Sequence, residues 1–361
     1  MRFVSLFVGF LALLFASAQQ PAAPIRLQPQ PLPFTPNEFY VATVTDNRPE
    51  RGAVARLVLT AGQPPQPVDL QGGVTGSLGQ FINQNLKQNR SLRPIALRVR
   101  QCRFRETAVG SRVSGDFLYD VQFDLLGNDD GRATSTRLTE YRGSASYVRP
   151  VGQTAVLEQT LRQTLVASLR SLNDYMNREA GRNEKLAKGI EVHFTDDDRI
   201  TRDDTVHYNP NRPLTWDDFQ ATPRRGSHYA AEVFTSFAYE GRSSVRDGII
   251  HLNLTVKGYV LKNSSWGRPE SRTDYTLNHE QRHFDIVKLI VERFKRKIVP
   301  DSLTLEDYNS IVQYQFIESY RDMNHLQEQY DGETNHGLNQ LAQARWNEKI
   351  DAELRRFGVK K

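Results

Sequence analysis

Apolar and polar positions change period along this chain, and the changes mark its elements. Phe39-Tyr40-Val41-Ala42-Thr43-Val44 reads as a strand that stops at the turn signal Asp46-Asn47-Arg48-Pro49. Ala55 to Leu59 reads as a second short strand, followed by a Gly/Pro-rich loop from Gly62 to Gly76. Leu78, Phe81, Ile82 and Leu86 then recur at helical spacing. Ile95, Leu97 and Val99 alternate with polar residues, and the parity shifts by one at Cys102 and Phe104. Such a shift predicts a β-bulge near Arg100-Gln101. Two further strands are expected around Phe117–Leu126 and Thr136–Val148. Leu157, Leu161, Leu165, Leu169 and Leu172 define a long amphipathic helix ending near Gly181.

The second half begins with a strand at Ile190–Phe194 and an acidic loop, Asp196-Asp197-Asp198 with Asp203-Asp204 beyond it. The loop matches no calcium-binding spacing and reads as a solvated turn. Tyr229–Tyr239 and Gly248–Leu261 are β-rich and expected to pair, and from Asp274 onward the pattern is helical. The division expected is an α+β domain at residues 37–185 and a second domain at 189–361.

Arg2, an apolar run from Phe3 to Phe15 and Ala16-Ser17-Ala18 have the order of a cleavable signal peptide at 1–18. An exported protein, periplasmic or secreted, is therefore expected, with no transmembrane segment in the mature chain. Residues 19–36 contain six prolines and read as an extended linker. With one cysteine, Cys102, the chain has no intrachain disulfide, so its fold rests on a core or a metal. Residues 19–188 hold 22 Lys+Arg against 15 Asp+Glu, which would suit an anionic envelope surface; no dense basic block points to nucleic acid.

The chemistry is concentrated at His279-Glu280-Gln281-Arg282-His283, an H-E-x-x-H sequence. On a helix, His residues at i and i+4 share a face and can bind one Zn²⁺, with the Glu beside it as general base. Winding the segment at about 100° per residue puts His279, Glu280 and His283 on one half with Phe284, Ile286, Val287, Ile290, Val291 and Phe294. Gln281, Arg282, Asp285, Lys288 and Glu292 fall on the other half, predicted to be the polar one. A catalytic zinc takes a third protein ligand. Two downstream residues qualify: Glu318, four before Asp322, and His336 in Tyr330-Asp331-Gly332-Glu333-Thr334-Asn335-His336-Gly337. Glu318 sits at the polar margin of a helix whose apolar stripe runs Tyr308, Val312, Phe316, Met323, Leu326, Tyr330. The other histidines, His193, His207, His228, His251 and His325, read as packing or turn residues.

Leu214-Thr215-Trp216-Asp217-Asp218-Phe219, Ser265-Trp266, Leu277 to Ile286 around the H-E-x-x-H, and Tyr330-Asp331 to His336-Gly337 carry a resemblance. Together, over about residues 190–357, they resemble a bacterial domain family of uncharacterised function described as predicted secreted zinc-dependent proteases. The resemblance implies a zincin-like α+β metalloprotease domain with a mainly helical C-terminal part, and favours His336 over Glu318 as third ligand. The function expected is a secreted zinc peptidase with one Zn²⁺ per chain, Glu280 as base and a peptide or protein as substrate. The alternatives are an envelope-associated binding or assembly protein whose structural zinc is closed by Glu333 or Asp331, or a non-peptidase zinc hydrolase.

Overall fold

The structure, a computed structural model, describes residues 22–129, 131–197 and 204–359. The expected signal peptide, the start of the Pro-rich stretch, and Asp198 and Asp203 of the acidic loop lie outside them. The protein mixes helices and sheets, and the chain divides into two compact units, Met1–Arg178 and Glu179–Lys361.

Unit 1 is built on a six-stranded sheet. Strands β1 (Phe39–Asp46), β2 (Ala55–Leu57), β3 (Gln66–Val68), β4 (Arg93–Val109), β5 (Arg112–Asp129) and β6 (Arg132–Pro150) run in the order β3-β2-β4-β5-β6, with β1 joined parallel to β4. β4, β5 and β6 form a long antiparallel meander, and its register shifts between Val99 and Gln101, where the parity change predicted a bulge. The stretch read as a loop from Gly62 contains β3 and the start of α1 (Gly73–Asn85). Helix α2 (Ala155–Glu179) buries the leucine stripe Leu157, Leu161, Leu165, Leu169 and Leu172. It comes close to β6 at Gly143, where an added Cβ would lie 3.0 Å from Thr164 Cγ2.

One expectation needs correcting in this unit. Residues 22–36 are not a free linker: Ile25 is buried and bridges Leu70, Gln28 N–H donates to Glu158, and Gln30 N–H donates to Asn85. Proline leaves each neighbouring backbone group to find such partners singly. Several arginines of the sheet are engaged in ion pairs. Arg98 pairs with Asp124, Arg100 with Asp120 and Glu140, and the buried Arg149 with the buried Glu106. Cys102 is buried, and burial pushes its thiol up to about 12, so it is an inert packing residue.

Unit 2 places helices against a smaller sheet. β7 (Gly189–Asp196), β10 (Thr235–Arg246) and β11 (Ile249–Leu261) lie in the order β10-β11-β7, with β8 (Thr205–His207) paired to the end of β11. β9 (Ala231–Glu232) and β12 (Trp266–Gly267) form a separate two-stranded pair. The inward positions of β11, Ile250, Leu252, Leu254 and Val256, pack with Phe284, Val287, Ile290, Val291 and Phe294 of α3 (Asp274–Lys297). Each such buried side chain is worth about 1.5–3 kcal/mol, so the seam fixes α3 on the sheet. α4 (Tyr308–Thr334) and α5 (Gln340–Arg356) pack on α3, and Ile286 and Leu289 join Tyr330, Trp346, Ile350 and Leu354 in a second core cluster. Among the described residues, no helix is long and apolar enough to cross a membrane.

The acidic loop is not simply solvated. Asp196 is bound by Lys288 and Lys295, and Asp197 is buried 3.3 Å from His207 Nδ1.

Candidate metal centre

The helix carrying His279-Glu280-Gln281-Arg282-His283 is well specified at both ends. Thr273 Oγ1 accepts from Thr276 N–H at the N-cap, Asp274 stands in the first turn, and Lys295, Arg296 and Lys297 stand in the last, each matching the helix dipole. His279 and His283, one turn apart, project from α3 toward α4 with ring centroids 5.1 Å apart.

Each imidazole is held from behind. His279 Nδ1 lies 2.9 Å from Gln343 Oε1 and 2.9 Å from the Tyr330 hydroxyl; His283 Nδ1 lies 2.9 Å from Gln327 Oε1. A carboxamide oxygen only accepts, so Nδ1 of each ring carries the proton and donates. In the neutral rings that leaves the lone pair on Nε2; both Nε2 atoms turn toward one carboxylate, to which they donate when the rings are protonated. Asp331 Oδ1 is 3.3 Å from His279 Nε2 and 3.0 Å from His283 Nε2. Tetrahedral ligands at about 2.1 Å from zinc lie about 3.4 Å apart. The three donors, all within 4.8 Å of one another, therefore have nearly the spacing of one face of a zinc coordination sphere. Two neutral imidazoles and a carboxylate, with outer hydrogen bonds fixing the tautomers, are a donor set that fits Zn²⁺.

Electrostatics tie the group together. Asp331 is partly buried, which opposes its charge, yet the hydrogen bonds and charges of His279 and His283 hold its carboxyl well below the usual carboxylate range. Burial likewise opposes charge on His283, but the Asp331 hydrogen bond and the charges of Asp331 and Glu280 outweigh it and raise its pKa. Glu280 is buried, and burial raises its pKa despite the opposing pull of the two histidines. Glu280 Oε2 accepts the Val233 N–H at 2.9 Å, which anchors the carboxylate to the strand segment running through β9. All four residues line a half-open cavity of about 510 Å³ whose rim carries Tyr229, Tyr275, His336 and Leu338.

The structure thus groups Asp331, rather than His336, with the two histidines. His336 is near: its Nδ1 is 3.7 Å from Asp331 Oδ2, and its ring leans on Tyr229 with centroids 4.6 Å apart. It sits just past the C-terminus of α4, where Asn335, His336 and Gly337 all have positive φ (49°, 53° and 82°). The tight reversal swings His336 to the rim instead of the cavity floor. Gly337 is required there twice over: by its φ, and because an added Cβ would lie 3.2 Å from the His279 ring. Glu333 points elsewhere and accepts from Trp346 Nε1 and Gln329 Nε2. Glu318 pairs with Arg321 and does not line the cavity.

The polar half of α3 also differs from expectation. Arg282, Asp285 and Lys288 are buried, not solvated. Gln343, Asn347 and Asp351 form an i, i+4, i+8 stripe on α5 that covers this face. Gln343 holds His279, Asn347 accepts from Arg282 Nε at 3.0 Å, and Asp351 accepts from Arg282 at 2.6 Å. Asp285 in turn accepts from Arg282 and from the Tyr208 hydroxyl. Sequence reasoning missed Gln327, Gln343 and this network. The available signal was the four-residue polar spacing on a helix whose other stripe, Trp346, Ile350 and Leu354, is apolar.

Comparison with known proteins adds little to this geometry. No family model matches the chain, and no curated protein matches it. Among solved structures, a Xanthomonas campestris protein described by the family model DUF330 is similar at 14% identity and a TM-score of 0.28, over 44% of this chain and 96% of that one. Another, described as an uncharacterized protein, reaches 9% identity and a TM-score of 0.21, over 42% and 99%. Scores this low do not establish a common fold. These comparisons give no support to the expected resemblance to a family described as predicted secreted zinc-dependent proteases.

Proposed function

We propose that unit 2 is a zincin-like, zinc-dependent peptidase, exported from the cytoplasm, with His279, His283 and Asp331 as metal ligands and Glu280 as general base. The observation that carries this reading is the opening of all four residues onto one solvent-reachable cavity. A structural zinc has its shell closed by protein, whereas a catalytic one keeps a position open. A zinc ion held here would polarise a substrate carbonyl and acidify a water.

The residues of the chain supply the rest. Glu280, with its pKa raised by burial, is suited to take a proton from water and return it to the departing amine near neutral pH. The Val233 N–H keeps its carboxylate oriented during both transfers. The strand segment at the cavity wall is suited to an extended peptide. Ala230 O accepts from Arg268 N–H on the β12 side, and Val233 N–H faces Glu280. Backbone alternation then turns the polar groups of Ala231 toward the cavity, where a substrate strand can pair. Removing metal with a chelator should abolish cleavage of a broad peptide library, and adding back zinc should restore it. Cleavage that persists in the metal-free protein would refute the proposal.

A structural-zinc reading has one observation in its favour: His336 lies close enough to Asp331 to close the shell after a modest movement. In that case His336 would be a fourth ligand and the protein a binding module. Glu333 is not suited to closing the shell, because Trp346 and Gln329 hold it away.

A further inference from the structure

We propose that the outer face of the β7–β11 pair is a second metal site, with Glu191, His193 and His251 as ligands for a divalent transition metal of the Zn²⁺, Cu²⁺ or Ni²⁺ kind. The site is on the far side of the sheet from α3. Ile190, Val192 and Phe194 of β7 and Ile250, Leu252 and Leu254 of β11 face the core against α3, so alternation turns residues 191, 193 and 251 outward. The parallel register sets His251 directly beside Glu191, and His193 two residues further along the same face, opposite Asn253.

Three donors converge as a result. Glu191 Oε2 lies 3.3 Å from His251 Nδ1 and 3.6 Å from His193 Nε2, and the donor atoms of all three residues are within 4.8 Å of one another. These separations bracket the roughly 3.4 Å between neighbouring ligands of a tetrahedral metal with bonds of about 2.1 Å. The two imidazoles lie side by side, with centroids 6.0 Å apart and planes inclined by 14°. Adjacent strands of a sheet hold such a constellation more firmly than loops do. Two imidazoles and one carboxylate select a borderline transition metal over Ca²⁺ or Mg²⁺, which prefer oxygen ligands. Glu191 and His193 are more than half exposed, at 55% and 54%, while His251 is 23% exposed; the remaining coordination positions face solvent. His193 and His251 read as packing residues in the sequence because the two strands pair at an offset of 60 residues, His251 beside Glu191, with no local sign of it.

The test is calorimetric titration of the full chain with zinc chloride. Wild-type protein should show two binding events. His193→Ala/His251→Ala should lose one and keep the other, and His279→Ala/His283→Ala should show the reverse, with each variant checked for an unchanged circular-dichroism spectrum. Glu191→Gln should weaken the second event about tenfold or more, since removing even an outer partner of a metal ligand costs roughly 10–100-fold. Copper loaded into the His279→Ala/His283→Ala variant should show nitrogen hyperfine structure that vanishes when His193 and His251 are also replaced. No zinc binding by His279→Ala/His283→Ala, or binding there that survives the further replacement of His193 and His251, would overturn the proposal. Because the two sites use separate residues, this result is independent of whether the cavity hydrolyses peptides.

Discussion

Asp331 is the residue on which the proposed metal centre turns. One of its carboxylate oxygens faces both Nε2 atoms, while His336 stands outside that contact. Asp331→Ala should therefore lower zinc affinity by more than the roughly 10–100-fold typical of removing an outer partner, and His336→Ala should leave zinc in place. Zinc retained in Asp331→Ala and lost in His336→Ala, measured by competition with a fluorescent chelator, would restore His336 as third ligand. The pKa directions give a second test. Zinc needs both imidazoles neutral, and His283 has a raised pKa. Zinc affinity should thus begin to fall on acidification already above the ordinary imidazole value of about 6.5. In the metal-free protein the sign differs by group. The Asp331 pKa is depressed, so its contribution to stability is present above the unfolded carboxylate value and is lost as pH falls through the folded one. The raised pKa of His283 contributes below the unfolded imidazole value and is lost as pH rises through the folded one. Thermal melts across pH, with and without zinc, read both trends.

At the scale of elements, α5 and the turn before it act as the clamp behind α3. Gln343→Ala removes the acceptor that fixes the tautomer of His279 and should weaken zinc binding about 10–100-fold while the fold persists. Gly337→Ala combines a left-handed backbone position with a close approach to His279, and should cost about 1–3 kcal/mol in stability, visible as a lowered Tm. The elements show which signals a sequence carries. α3 and the pairing of the β10 and β11 segments were legible because their period and punctuation are local. The bulge between Val99 and Gln101 was legible because a parity shift has one cheap structural cause. The grouping of Asp331 with the two histidines was not, because His283 and Asp331 are 48 residues apart and the contact depends on how a helical hairpin returns. The polar half of α3 misled for a related reason. Arg282 and Asp285 are charged, yet a partner stripe on α5 lets them be buried at low cost, and a helical wheel drawn from one helix contains no partner. Residues 22–36 misled because a Pro-rich segment can dock by isolated hydrogen bonds that leave no periodic trace.

For the whole molecule, every residue of the metal centre and of its supporting network lies in Glu179–Lys361. A fragment starting at Glu179 should therefore fold alone and bind zinc as tightly as the full chain, as calorimetry on both would measure. An unfolded or zinc-free fragment would mean that unit 1 is needed for the site. The most direct test of the account is Glu280→Gln in the full chain. The substitution keeps the size of the side chain but removes its ability to accept a proton. With zinc content and Tm monitored in parallel, the account predicts retained zinc, an unchanged fold and peptide hydrolysis reduced by about a hundredfold or more. Hydrolysis undiminished in the zinc-loaded variant, or no cleavage of any library peptide by the zinc-loaded wild type, would contradict it.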